Sequence, residues 1–169
     1  MSRLSKPRMF MKIARTVSRR STCIALRVGA VIVKEGRIIS FGYNGSTPNS
    51  EHCIEHFTAL QQTVAFHFPS LLDYTHSDVV KNLHHDWALE HELHAEMNAI
   101  LFAAKSGIST DKTEMYTTHS PCAICAKMIV QAGIRRVVYH VPYIRDFKIT
   151  KAILFTGQVG LEEINDGTD

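Results

Sequence analysis

Residues 114–140 read EMYTTHSPCAICAKMIVQAGIRRVVYH, and this stretch decides the fold class. Two β-rich runs within it, at 114–118 and 136–140, predict strands. The segment 121–132 between them predicts a helix, because it has proline in its first turn and ends before Gly133. A strand, a helix and a further strand in this order predict an α/β layered domain.

The flanking sequence predicts more elements of the same kind. Residues 28–33 and 37–43 are β-rich and separated by a tight-turn signal at 34–36, so they predict a β-hairpin. Residues 94–105 predict a helix closed by Gly107. The predicted apolar face of this helix consists of Met97, Ile100, Leu101 and Ala104. The other predicted elements are helices over 5–21, near 51–65 and over 146–155, and a weak final strand over 158–163.

The composition is typical of a globular protein. With 45% hydrophobic and 21% charged residues, the chain is predicted to form a single domain over 1–169. Residues 46–92, with Pro48, Pro69 and a histidine-rich stretch, are interpreted as an insertion within that domain. No apolar run approaches the roughly 20 residues that cross a bilayer, and the basic N-terminal segment lacks the features of a signal peptide. A cytoplasmic protein with no membrane association is expected.

The charge and the cysteines narrow the classes of function. A formal net charge of +3 suits a small anionic ligand, whereas proteins that bind large nucleic acids usually carry a stronger basic bias. Four cysteines in a cytosolic chain indicate metal binding or catalysis rather than disulfides. Histidines are unusually frequent, and eight of the ten fall between His52 and His94.

Two short motifs carry candidate chemistry, the His94–Glu96 motif and the sequence Pro-Cys-Ala-Ile-Cys at 121–125. Cys122 and Cys125 are three residues apart, so on a helix they project from the same side. In the first turn, free backbone N–H groups and the helix dipole favour thiolates. Two thiolates and the His94 imidazole make three zinc ligands and leave the fourth tetrahedral position to water, as in a catalytic site.

Glu96 is the candidate proton shuttle, because it can lie beside the metal without ligating it. Zinc-bound hydroxide would attack C4 of a cytosine, while Glu96 passes protons to the ring nitrogen and to the departing ammonia. Alone, Cys-x-x-Cys could be a redox pair or half of a structural zinc site, and His-x-Glu alone has little weight. Both motifs together, in this order and with proline before the first cysteine, are typical of zinc deaminases.

The sequence resembles the cytidine-deaminase-like zinc hydrolases, and within them the deoxycytidylate deaminases of the bacteriophage type. The matching stretches are VGAVIV (28–33), GYNGS (42–46), ELHAEMNAILF (92–102), SPCAICAK (120–127) and GIRRVVY (133–139). The resemblance implies a three-layer α/β/α fold with a five-stranded mixed sheet, commonly assembled into hexamers. It also implies conversion of dCMP to dUMP for thymidylate synthesis, with dCTP as activator and dTTP as inhibitor.

The resemblance also implies roles for residues outside the two motifs. Asn44 matches the family's asparagine that binds the nucleotide sugar, although Asn-Gly is also a favourable turn. Arg27, Tyr143 and Arg145 are candidates for phosphate binding, and each could equally be an ordinary solvated side chain.

A second, structural zinc is implied in the same way. Its candidate ligands are Cys23, Cys53, His84 and Glu92. Two thiolates, an imidazole and a carboxylate would close a tetrahedral site to water. His85 and His91 are rival ligands. The remaining histidines are interpreted as surface or packing residues, namely His52, His56, His67, His76 and His119.

Rival functions remain at this level. One is a deaminase of tRNA adenosine or of free nucleosides; a tRNA enzyme should carry a broader basic surface, and a nucleoside enzyme needs no phosphate site. The other is a zinc-stabilised binding module, which has no use for a proton shuttle such as Glu96.

Overall fold

The computed structural model of this chain describes residues 3–67 and 78–165. Its helices are α1 (Lys6–Ser18), α2 (Cys53–His67), α3 (Asp78–His91), α4 (Ala95–Lys105), α5 (Ala123–Gln131) and α6 (Phe147–Thr156), with a 3₁₀ turn at Ile144–Asp146. Its strands are β1 (Gly29–Lys34), β2 (Arg37–Tyr43), β3 (Gly45–Ser46), β4 (Glu92–Leu93), β5 (Glu114–His119), β6 (Arg136–Val141) and β7 (Gly160–Glu163). None of the described helices combines the length and the apolar character needed to span a membrane.

Five strands form one mixed sheet in the order β2-β1-β5-β6-β7. β1 is antiparallel to both β2 and β5, whereas β5, β6 and β7 run parallel. The predicted hairpin of β1 and β2 is confirmed. Its turn places Glu35 and Gly36 at φ values of 50° and 75°, and positive values at both central residues suit the twist of a two-residue hairpin loop.

Helices cover both faces of this sheet, so the expected three-layer α/β/α fold is confirmed. On one face α1 packs Phe10, Met11 and Ala14 against buried residues of β1, β5 and β6. On the other face α4, α5 and α6 contribute to a second core with alanine and branched aliphatic side chains. Apolar side chains are therefore buried on both sides of the central strands, as in other sheets that helices cover on both faces.

The predicted apolar face of α4 is wrong for Leu101 and Ala104, which are exposed, whereas Ile100 packs against the core. The buried side chains of α4 are Ala95, Glu96, Ala99 and Ala103, whereas Leu101 is 48% exposed. The reason is how closely the helix approaches β2 at Gly42. A Cβ atom on Gly42 would lie 2.4 Å from the Ala95 carbonyl oxygen, so only small side chains fit between helix and strand.

The prediction that Pro121 lies within the first turn of α5 is also wrong. The helix begins at Ala123, and Cys122 is its N-cap with an extended backbone. The Cys122 sulfur accepts a hydrogen bond from the Cys125 N–H at 3.5 Å, which is the role of an N-cap side chain. Pro121 is therefore one residue before the cap.

Residues 46–92 contain two helices in their described part. α2 corresponds to the helix predicted near 51–65, whereas α3 was not predicted; Pro69 lies outside the described residues. β3 and β4 pair antiparallel, with Ser46 opposite Glu92. This short ladder closes the segment on itself and brings Asn44 close in the fold to the start of α4.

Candidate active site

Two helix starts bring His94, Cys122 and Cys125 together. His94 is the N-cap of α4, Cys122 is the N-cap of α5, and Cys125 lies in the first turn of α5. Both cysteine sulfurs lie 3.4 Å from Nδ1 of His94. The prediction that these three side chains share one site agrees with this geometry.

The pKa values of the three side chains are shifted by their mutual contacts, and the resulting charge distribution favours a bound cation. The hydrogen bond from Cys125, together with that from His94, lowers the pKa of the Cys122 thiol to about 4. The same contact and burial raise the pKa of Cys125, and Cys122 raises the pKa of His94 to about 9. A dication would displace these shared protons, because zinc binds thiolates and neutral imidazole.

The donor set fits zinc. The three ligand atoms lie within 4.8 Å of one another. Sulfur and nitrogen ligands at ordinary zinc distances in a tetrahedral arrangement lie about 3.6 Å apart, close to the 3.4 Å found between each sulfur and Nδ1. Three protein ligands are the number found in catalytic zinc sites.

Glu96 is buried beside this cluster with 4% of its surface exposed. Burial raises the pKa of its carboxyl group, and the positive charge of His94 opposes that rise. A carboxyl group whose pKa is raised holds a proton more readily, which suits a group that accepts a proton and passes it on.

A cavity of about 320 Å³ opens onto the cluster. Asn44, Tyr143 and Arg145 line it together with Glu96. Arg27 is exposed and is not among the lining residues, although its neighbours Leu26 and Val28 are. The substrate-binding roles of all four remain predictions.

The side chain of Asn44 also has a structural role. Its Oδ1 accepts a hydrogen bond from the Val28 N–H at 2.8 Å, and its Nδ2 donates to the Leu26 carbonyl oxygen at 2.9 Å. These bonds fix the loop that forms one edge of the cavity. The Asn44 side chain also hydrogen-bonds to the Glu92 carboxyl group, where it opposes the rise in the pKa of that group.

His119 was interpreted as a surface or packing residue, and the structure adds that it lines the cavity. It ends β5, three residues before Cys122. Burial and nearby His140 hold its pKa below the ordinary value. The only sequence signal for this residue is its place at the end of a strand that leads into a zinc motif.

The other histidines differ in their surroundings. His52 is exposed, and His56 stacks on Trp87 at 5.0 Å between ring centroids. His85 lines the cavity, whereas Nδ1 of His91 is 2.9 Å from the Trp87 carbonyl oxygen. His76 and the side chain of His67 lie outside what the structure describes.

A second cluster consists of Cys23, Cys53 and His84, whose ligand atoms lie within 4.8 Å of one another. The Cys23 sulfur is 3.3 Å from Nε2 of His84. The hydrogen bond from Cys53 lowers the pKa of Cys23 to about 5, while the Cys53 pKa is raised. Phe57 and Trp87 pack around the two buried sulfurs.

Glu92 does not belong to the set whose ligand atoms come this close together. Its Oε1 is buried, and no described residue forms a hydrogen bond with it. Burial and the charge of Cys23 raise the pKa of its carboxyl group to about 7. A cation in the cluster would lower the pKa of Glu92, because it favours the ionised carboxylate.

Comparison with protein-family models adds an independent result to this geometry. Residues 4–141 match the model of the cytidine and deoxycytidylate deaminase zinc-binding region. The chain belongs to this family. The match includes both cysteine–histidine clusters, and it identifies zinc as the metal that the family binds.

Individual relatives agree with this assignment. The deoxycytidylate deaminase of Enterobacteria phage T2 is 40% identical over 144 residues, which cover 76% of each chain. The enzyme of phage T4 is 40% identical over 145 residues, covering 76% of this chain and 74% of the relative. Among solved structures, dCMP deaminase of cyanophage S-TIM5 in complex with dCMP and dUMP superposes with a TM-score of 0.71 at 30% identity, covering 97% of this chain and 100% of that one.

Proposed function

We propose that this family member hydrolyses dCMP to dUMP and ammonia. The observation that carries the proposal is the cluster of His94, Cys122 and Cys125 with buried Glu96, open to a nucleotide-sized cavity. The phage T2 relative is named deoxycytidylate deaminase, and the S-TIM5 neighbour holds dCMP and dUMP. These relatives support the monophosphate of deoxycytidine as the substrate.

His94, Cys122 and Cys125 would hold the catalytic zinc. When bound there, zinc lowers the pKa of a coordinated water to about 7 and so supplies hydroxide at neutral pH. The N-cap position of Cys122 supports the thiolate form, because the first turn of α5 provides backbone N–H groups and the positive end of the helix dipole.

Glu96 moves the protons in this mechanism. Its carboxylate accepts a proton from the attacking water as the C4–O bond forms, and passes it to N3 of the cytosine. The second water proton then reaches the amino group, the C4–N4 bond breaks, and ammonia leaves. Burial of Glu96 supports both transfers, because burial raises the pKa of its carboxyl group and so favours uptake of a proton.

The cavity wall supplies the binding groups of the proposal. Asn44 would contact the deoxyribose from the cavity wall. Tyr143 and Arg145 line the cavity and would bind the phosphate, and Arg27 would approach it from the exposed loop. A guanidinium is well suited to a phosphate, because its planar fork can donate two parallel hydrogen bonds.

The second cluster would hold a structural zinc with Cys23, Cys53, His84 and Glu92 as ligands. Two observations support it: the 3.3 Å approach of Cys23 to His84, and the buried Oε1 of Glu92 that no described residue satisfies. A buried acceptor without a partner costs free energy unless an ion or water satisfies it. The site would tie α2 and α3 to the loop before β1.

Further parts of the proposal concern the cellular role. dUMP would feed thymidylate synthesis in the cytoplasm, where free thiols stay reduced, and dCTP and dTTP would act as activator and inhibitor.

A homohexamer is proposed because apolar side chains lie exposed on the outer surface. Phe41 and Phe102, for example, stack at 6.5 Å while each is more than half exposed.

The substrate proposal is tested by ammonia release from zinc-loaded protein with dCMP, deoxycytidine, dCTP and CMP, each with and without added dCTP effector. A kcat/KM for dCMP at least tenfold above that for the others supports the assignment. Equal or higher activity on deoxycytidine contradicts the monophosphate assignment while leaving the zinc chemistry intact.

A further inference from the structure

His119 occupies a place in the cavity that the proposed mechanism does not use. Its neighbours on that wall are Ser120, Tyr143 and Arg145. The backbone N–H of Tyr143 donates a hydrogen bond of 2.7 Å to Ser120 Oγ, which ties the loop after β6 to the end of β5. His119 is therefore part of a fixed wall formed by the ends of two neighbouring strands.

Thr118 holds the His119 ring from its Nδ1 side. Thr118 Oγ1 accepts a hydrogen bond from the Gly29 N–H at 3.2 Å and lies 3.1 Å from Nδ1 of His119. Within the described part of the chain, no further group bonds to this hydroxyl, so its proton is available to Nδ1. A neutral ring that accepts at Nδ1 carries its proton on Nε2, which forms no hydrogen bond with any described residue.

The position of the wall determines which part of the nucleotide it meets. α4 with Glu96 packs on β1 and β2, whereas His119, Tyr143 and Arg145 follow β5 and β6 on the other side of the cavity. If Glu96 serves N3, the C5–C6 edge of the cytosine faces this wall. In the anti conformation that pyrimidine nucleotides prefer, the 5′ oxygen and its phosphate lie on the C6 side.

A hydrogen-bond donor at this wall needs an acceptor. Unmodified cytosine has none at C5 or C6, and its acceptors O2 and N3 lie on the edge that faces Glu96. The acceptors that reach the His119 side belong to the sugar and the phosphate, and the charged phosphate oxygens form the stronger hydrogen bonds. We infer that His119 is a substrate-binding residue that donates its Nε2–H to the 5′-phosphate of the nucleotide. This inference rests on the proposed function and extends its phosphate site to a neutral donor.

The test compares kcat/KM for dCMP and for deoxycytidine in single variants and the wild type, with zinc content and circular dichroism confirming the folded state. His119→Phe keeps a ring without the donor, and His119→Gln restores a donor near the Nε2 position. His52→Gln is the matched control, because His52 is exposed and is not in the cavity lining.

His119→Phe should lower kcat/KM for dCMP by about 10- to 100-fold, the effect of losing a hydrogen bond to a charged group, while deoxycytidine turnover stays within about twofold. His119→Gln should recover part of the loss, and His52→Gln should behave as wild type. Thr118→Val, which removes the group that holds Nδ1 of His119, should show a smaller loss confined to dCMP.

An equal loss on both substrates in His119→Phe, or no loss on either, overturns the role of His119 in phosphate binding. If His119→Phe does not fold, His119→Leu takes its place, and an undiminished preference of that variant for dCMP overturns the inference equally. A wild type that does not prefer dCMP over deoxycytidine refutes the proposed function itself, so the two failures are distinguishable.

Discussion

The sulfur of Cys125 lies 3.4 Å from Nδ1 of His94, although 31 residues separate them in the sequence. The contact exists because α4 and α5 begin beside each other at one end of the sheet. Each helix start contributes a side chain at or next to its N-cap. The free N–H groups and dipoles of both helices therefore act on the same small volume.

Glu96→Gln should abolish most turnover and leave zinc bound. The amide keeps the size of the side chain but cannot accept or release a proton, and the loss of general acid–base catalysis lowers rates by about 100- to 10,000-fold. Steady-state kinetics with dCMP and zinc analysis of the same sample measure both effects.

Glu90→Gln is the matched control, because Glu90 is exposed on α3. It should match the wild type in rate and in zinc content. A Glu96→Gln enzyme that retains the wild-type rate would show that Glu96 is not the proton shuttle.

Cys122→Ser should release the catalytic zinc. Loss of a partner that only orients a ligand weakens metal affinity by about 10- to 100-fold, so loss of a ligand should exceed about 100-fold. Competition with a chromophoric chelator measures the change. Two zinc ions per chain with unchanged affinity would rule out Cys122 as a ligand.

Cys23→Ala should remove the second zinc and lower thermal stability. A site saturated at about 1,000 times its Kd contributes about 4 kcal/mol, and in a chain of this length that loss shifts Tm by roughly 8–16 °C. Calorimetry together with metal analysis measures it. Trp87, the single tryptophan, packs against Cys23 and Cys53, so its emission should change as well.

Cys23→Ala and Cys122→Ser serve as reciprocal controls, since each should lose one zinc and keep the other. A Cys23→Ala protein that holds two zinc ions per chain would refute the structural site. A protein with one zinc but no change in stability would refute its structural role.

Local patterns were enough to predict most elements and the first cluster. The strand–helix–strand order around Cys122 and the helix after His94 follow from turn residues and periodicity, and the zinc motifs lie where those elements begin. Local order suffices here because both motifs are short and each is fixed by one helix start.

Long-range packing was not predictable in the same way. The alanine face of α4 is set by its close approach to Gly42, and hydrophobic size alone favoured Leu101 instead. Helix α3 was missed because its histidine-rich sequence has little apolar periodicity, and its burial depends on partners around Cys23 and Cys53. His119 was missed because a histidine outside a motif has no local sequence signal. Its position at the site is evident only from the residues that line the cavity.

The most direct test of the account is a product balance on dCMP before and after removal of zinc. We predict that the zinc-loaded enzyme forms one dUMP and one ammonia for each dCMP consumed. Treatment with a chelator should stop the reaction, and added zinc should restore it. Turnover that persists in fully zinc-free protein, or no dUMP from zinc-loaded protein that is folded, would contradict the assignment of the His94, Cys122 and Cys125 cluster as a zinc deaminase centre.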